Sequence, residues 1–233
     1  MPWPTRYLIV LPVVVVACRS AAPGGASTRA AATPSAPVSA VAGMPEGWSA
    51  PGPGSGAVPE DYEVGLDRTV RHGGSASAYI KSKAAAPRGF MALVQGFQAE
   101  TYRGKRIRLS GYVMTKDVAD TAGLWMQVQG GGGATGFDNM QNRPIRGTSD
   151  WTKYDVVLDV PANSVGIAFG FLLQGRGQAW VDDVRFDVVG TDVPSTNTMP
   201  APEADSTKVE AQARGWASSP KQPVNLDFER VKP

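Results

Sequence analysis

Along six stretches of this chain the side chains fall into sets that alternate at every second position, a period that β-strands satisfy and α-helices do not. Tyr62, Val64 and Leu66 alternate with Glu63, Gly65 and Asp67, and Ala76, Ala78 and Ile80 with Ser77, Tyr79 and Lys81. Ile107, Leu109 and Val113 oppose Arg106, Arg108, Ser110 and Tyr112; Leu124, Met126 and Val128 oppose Trp125, Gln127 and Gln129. Ile167, Phe169, Phe171 and Leu173 form a long apolar side opposite Ala168, Gly170, Leu172 and Gln174, and Trp180, Asp182, Val184 and Phe186 stand against Val181, Asp183, Arg185 and Asp187. With the shorter runs between them, the pattern predicts about eight or nine strands at hairpin spacing across residues 44–190 and no amphipathic helix of ordinary length, which is an all-β sandwich. The 27 glycines and 19 prolines supply its turns. Alternation leaves each sheet one wet face, and the long apolar side at 167–173 belongs in the centre.

The flanks read differently. Residues 19–43 are Ala, Pro, Ser, Gly and Thr with hardly a large apolar side chain, too little to offset the entropy of ordering, so they are expected to form a disordered tether. Residues 191–222 form a long polar, Pro-rich loop, within which a short helix over 206–214 fits the pattern. Ahead of the tether, one cation, Arg6, precedes an apolar run of about eleven residues, well short of the roughly 20 needed to span a bilayer, and ends at small Ala17 and Cys18. Val15-Val16-Ala17-Cys18 resembles the lipobox of bacterial lipoproteins. That resemblance implies that residues 1–18 are a signal peptide, that Cys18 is lipidated, and that the protein is exported and anchored to the cell-envelope membrane.

Cys18 is the only cysteine and His72 the only histidine. An internal disulfide framework, thiol catalysis, a zinc site and a Ser-His-Asp triad therefore lack their residues. Loss of Arg6 with the signal would turn 23 basic against 21 acidic residues into 22 against 21, a balance that gives nucleic acid no electrostatic foothold. The Gly-rich stretch 129–136 lacks the lysine and following helix of a phosphate loop and reads as a hairpin turn.

The order Gly47-Trp48, then residues 67–72 leading into Gly74-Ser-Ala-Ser-Ala-Tyr-Ile80, then Trp151-Thr-Lys-Tyr154 and Trp180-Val-Asp-Asp-Val-Arg-Phe186, resembles jelly-roll domains of the galactose-binding-like and carbohydrate-binding-module superfamily. The middle, from Tyr102-Arg-Gly-Lys-Arg-Ile-Arg-Leu-Ser110 through Phe137-Asp-Asn-Met-Gln-Asn-Arg-Pro-Ile145, also resembles an uncharacterised domain that follows helix-turn-helix segments in some AraC-type regulators. No helix-turn-helix stretch lies between the tether and the sandwich, which disfavours a regulator here. The superfamily's usual opening strand, here Asn225-Leu-Asp-Phe-Glu229, stands near the end of the chain. Residues 223–233 are accordingly expected to return as a strand beside residues 179–188 and complete the sandwich. The resemblance further implies a structural calcium held by Asp182, Asp183 and Glu229 with backbone carbonyls near His72, Gly74 and Ser75. No other cofactor is expected.

For ligand binding, Arg108, Tyr112, Trp125, Gln127 and Gln174 are expected to share one polar face, joined by loop residues Asp138, Asn139 and Arg143. A flat aromatic ring with planar amide, carboxylate or guanidinium groups beside it suits the C–H faces and hydroxyl pairs of sugars. Trp48, Trp151 and Trp180 are read as structural. The leading expectation is a noncatalytic, monomeric binding module for carbohydrate or another envelope component. The alternatives are an envelope polysaccharide hydrolase, for which Asp138 and Asp159 are nameable acids, and a structural surface lipoprotein that packs against other proteins.

Overall fold

The computed structural model describes residues 43–51, 56–130, 133–199 and 214–232; the signal, lipobox cysteine and most of the tether of the sequence reading lie outside them, as does the 206–214 helix except for its last residue. Eight strands follow in chain order: β1 Tyr62–Asp67, β2 Ser77–Ser82, β3 Phe90–Gln98, β4 Lys105–Gly130, β5 Gly133–Asp138, β6 Ile145–Val160, β7 Gly166–Gln174 and β8 Gln178–Val189. All their pairings are antiparallel.

The organising element is β4, whose 26 residues join two stretches that the sequence reads as separate strands. Its first half pairs with β8 on one edge and β6 on the other, so that Leu109 lies between Phe186 and Val156. Its second half pairs with β7 and β5, so that Met126 lies between Phe169 and Asp138. Between the halves the pairing with β6 slips three times, and Asp117 takes a left-handed φ of +54°. Bulges bend and twist a strand, and Asp is one of the few side chains at ease in that region. The bend carries β4 out of one sheet, β1-β2-β8-β4-β6, and into the other, β3-β7-β4-β5. The result is the all-β sandwich that the alternation predicts.

Both halves of β4 turn alternate residues into one core. Ile107, Leu109 and Val113 meet Leu124, Met126 and Val128, with Ile80, Leu93, Leu158 and the apolar side of β7, all essentially buried. At its centre Phe169 meets Phe186 edge to face at 4.8 Å and Trp48 at 5.3 Å, an arrangement aromatic rings favour.

The C-terminal segment closes this core, although as an irregular strap in place of the expected strand. Val184 donates its N–H to the Leu226 carbonyl at 3.0 Å, so the strap does lie beside β8, but no ladder continues from there. Asn225 and Phe228 both take positive φ, near +50° and +56°, and such residues break the extended run a strand needs. Side chains hold the strap where backbone pairing is missing. The buried Gln95 amide grips Val224 at both ends, donating to its carbonyl at 2.9 Å and accepting its N–H at 2.7 Å. Trp48 Nε1 donates to the Asn225 carbonyl, and Phe228 is fully buried 5.0 Å from the Trp48 ring. Residues 191–199 are also ordered along the sandwich edge: Thr196 N–H donates to the Val157 carbonyl and Thr198 N–H to that of Phe137.

Phe228→Ala is expected to cost about 3–5 kcal/mol, the range for emptying a large core site. Urea unfolding of the two proteins measures it, and an unchanged midpoint would exclude the strap from the core.

Candidate functional site

On the outer face of the sheet β1-β2-β8-β4-β6, Arg106, Arg108, Ser110 and Tyr112 project from β4 opposite the core residues, as their alternation requires. The neighbouring strands set Asp155 and Arg185 on either side of Ser110, and Lys153 and Asp182 on either side of Tyr112. The connection between β1 and β2 folds over this face. Its His72 ring stacks on Tyr112 with centroids 3.6 Å apart and planes 13° from parallel, and Trp151 of β6 meets His72 edge-on at 5.8 Å. Arg108 Nε lies 3.6 Å from Asp155 Oδ2, an ion pair just beyond hydrogen-bond reach. Arg108 Nε, Ser110 Oγ and Asp155 Oδ1 are all buried atoms without a hydrogen-bond partner.

The folded-over loop is anchored by the three carboxylates that the sequence reading assigned to calcium. Asp182 Oδ2 accepts the N–H groups of His72 and Gly73 at 2.9 and 3.0 Å, and its Oδ1 accepts that of Asp183 at 2.8 Å. Asp183 Oδ2 meets His72 Nδ1 at 2.7 Å. Glu229 Oε1 accepts the N–H of Ser75 at 2.6 Å, and its other oxygen takes the Ser75 hydroxyl. Gly74, at φ +51°, lets that carboxylate close in, because a Cβ there would stand 2.0 Å from Glu229 Oε1. The structure thus brings the expected residues together, but both oxygens of Asp182 are taken by N–H groups, both of Glu229 by Ser75 and Asp183 Oδ2 by the His72 ring, where a calcium shell of six to eight oxygens would need them free. This donor set does not fit the ion, and no group of three or more His, Cys, Asp or Glu side chains converges on a metal position among the described residues. Hydrogen bonds from Ser75 hold the Glu229 carboxyl below its ordinary range, whereas burial pushes that of Asp182 up.

The eight residues expected to form one ligand face are divided. Arg108 and Tyr112 lie on the face just described, while Trp125, Gln127 and Gln174 lie on the outside of the opposite sheet, because β4 changes sheets between its two halves. Trp125 is 4% exposed and belongs to an apolar cluster with Ala92, Ala168, Leu172 and Trp216 of the C-terminal segment. A Cβ on Gly166 would fall 2.0 Å from the Trp216 ring, so the absence of that side chain makes the seat. Asp138, Asn139 and Arg143 build a turn. The fully buried Asp138 carboxylate receives Arg143 Nη1 at 3.1 Å and Nη2 at 2.5 Å, and Asn139 Oδ1 accepts the Gln141 N–H. Asp159 is likewise forked by Arg106, at 2.8 and 2.9 Å, so the acids named for hydrolysis are both held by arginines.

The residues that the structure adds to the candidate face are Ser110, Trp151 and Asp155. The signal for Ser110 was present in its place between Arg108 and Tyr112; that for Trp151 was obscured by its assignment to structure. Trp48 and Trp180 are buried as expected, the latter donating Nε1–H to Asp67 at 3.0 Å.

No protein-family model matches the chain. A curated relative, the uncharacterized HTH-type transcriptional regulator YbfP of Bacillus subtilis (strain 168), is 44% identical over 178 residues, 75% of this chain and 55% of that protein. The chain therefore spans about half the length of the curated relative it matches. Among solved structures, similar chains include the CBM22-1 xylan-binding domain of Paenibacillus barcinonensis Xyn10C, with a TM-score of 0.44 and 17% identity covering 63% of this chain and 88% of that one. Another is the enzymatically active domain of bacteriophage CBA120 tailspike protein 4, with a TM-score of 0.47 and 15% identity over 62% of this chain and 20% of that one.

Because the folded-state pKa of Glu229 is depressed, its contribution to stability is present above the ordinary Glu value of about 4.3 and is lost as pH falls through the folded value. Thermal melts should therefore show wild type above Glu229→Gln at pH 7, with the gap closing as pH falls below about 4. Asp182 acts with the opposite sign but equally in both proteins. A gap independent of pH would contradict the anchoring role of this carboxylate.

Proposed function

We propose that the sandwich is a noncatalytic carbohydrate-binding module, and that the outer face of the sheet β1-β2-β8-β4-β6 is where it binds. The observation that carries this reading is the half-exposed Trp151 ring set against the stacked His72–Tyr112 pair. Trp151 and Asp155 are four residues apart on one strand, about 14 Å at the rise of an extended chain, a length suited to a run of sugar rings. An aromatic surface gives such rings a stacking partner, and the exposed Lys153 and part-exposed Asp155 side chains offer their hydroxyls hydrogen bonds. The opposite face carries Trp125 beneath a covering of other side chains, which argues against it as the platform.

The reading extends to place and form: a monomer, exported, with a lipid on Cys18 holding it to the envelope membrane and residues 19–43 lifting it away. The related stretch of YbfP belongs to a longer protein named as a regulator. Ligand reading is the role that a surface lipoprotein and a regulator can share, since a binding module serves either when joined to different neighbours.

A glycan array probed with the full chain in detergent tests the site. Trp151→Ala should weaken the strongest signals at least about tenfold while Trp125→Ala acts through stability alone, consistent with about 1–3 kcal/mol per stacked ring. Equal binding by wild type and Trp151→Ala would remove the proposed platform. Metabolic labelling with palmitate tests the anchor: label should enter wild type and be absent from Cys18→Ser, and equal labelling of the two would overturn it.

A further inference from the structure

A calcium ion that joined carboxylates to a loop would need the loop's carbonyl oxygens turned toward it, within a shell of six to eight oxygens at about 2.3–2.6 Å. The connection between β1 and β2 presents the reverse polarity to Asp182, Asp183 and Glu229. Its backbone N–H groups at His72, Gly73 and Ser75 point at the carboxylates of Asp182 and Glu229, the His72 ring meets Asp183 through Nδ1, and the Ser75 hydroxyl meets Glu229. The Gly74 carbonyl, one of the oxygens such an ion would use, accepts Arg71 Nε–H at 3.0 Å. A guanidinium thus stands at an oxygen that a metal shell would need.

Spacing and charge point the same way. An ion lying between a carboxylate oxygen and the loop would hold the two about 5 Å apart, twice its bond length. Asp182 Oδ2 stands 2.9 and 3.0 Å from the nitrogens of His72 and Gly73, and Glu229 Oε1 stands 2.6 Å from that of Ser75. Two glycines permit this approach: a Cβ on Gly73 would fall 2.8 Å from Asp183 Oδ2, as one on Gly74 would meet Glu229. Asp183 and Glu229 also border a cleft of about 610 Å³ between β8 and the strap, and Arg185 and Arg230 line it with them. Like charge from those two guanidinium groups opposes a dication there.

We infer that Asp182, Asp183 and Glu229 close a metal-free clasp, which seats the connection on the sheet through N–H, imidazole and hydroxyl partners in the place that the resemblance gives to calcium. The His72 ring then keeps its seat on Tyr112 without calcium in the surroundings. The clasp stands whether or not the face binds carbohydrate.

The test uses the full chain in detergent, dialysed against a chelator and then melted with and without millimolar calcium at constant ionic strength. The two melting temperatures should agree to within about 1 °C, and calorimetric titration with calcium should give no saturable heat. A site filled at a hundredfold above its dissociation constant would instead raise the melting temperature by about 5–10 °C in a chain of this size. Ser75→Ala removes one partner of Glu229 without altering the backbone, and should lower the melting temperature by at least about 2 °C, equally with chelator and with calcium. A rise on adding calcium, a heat that saturates at one ion per chain, or a Ser75→Ala protein that melts with wild type would each overturn the clasp.

Discussion

Hydrogen bonding along both edges of β4, in both of its halves, is the constraint on which the rest of the molecule depends. A strand used in this way is interior through most of its length, with β8 and β6 flanking one half and β7 and β5 flanking the other. The two sheets then have a common member and a fixed mutual orientation. Side chains of one parity in both halves meet in a single core, and those of the other parity must emerge on opposite sides of the sandwich. Each later feature of the candidate site follows from that division.

The two outer faces have different fates for reasons that lie far from β4 in sequence. One receives Trp216, seated on Gly166, and becomes a second apolar cluster around Trp125. The other receives the loop after β1, held down by carboxylates on β8 and on the C-terminal strap. The loop brings polar backbone and one imidazole, which stacks on Tyr112. Residues 214–232 thus contribute to both outcomes, covering one sheet with Trp216 and bracing the border of the other with Glu229. Such a strap replaces the ladder hydrogen bonds it lacks with buried side-chain contacts: the Gln95 amide, the Trp48 indole and the Phe228 ring.

How far this was legible in the sequence depends on the range of the interaction concerned. Alternation is local, so the strands, most of their inward residues and the sandwich could be read directly; β8 departs from it, because an irregularity at Asp183 puts Ala179 and Val181 in the core together with Val184 and Phe186 and turns Trp180 and Asp182 away. The continuity of β4 could not, since its turning point at Asp117 is a matter of register with β6, which no single stretch records. The same blindness misassigned the tryptophans. Trp125 and Trp151 both look like aromatic residues on alternating strands, and residues distant in sequence decide which is covered: Trp125 falls in one apolar cluster with Ala92, Ala168, Leu172 and Trp216. The carboxylates show a third case. Their meeting with residues 72–76 was legible through resemblance, but a resemblance says which residues converge and not whether N–H groups or carbonyls point inward; here Asp182 and Glu229 meet N–H groups.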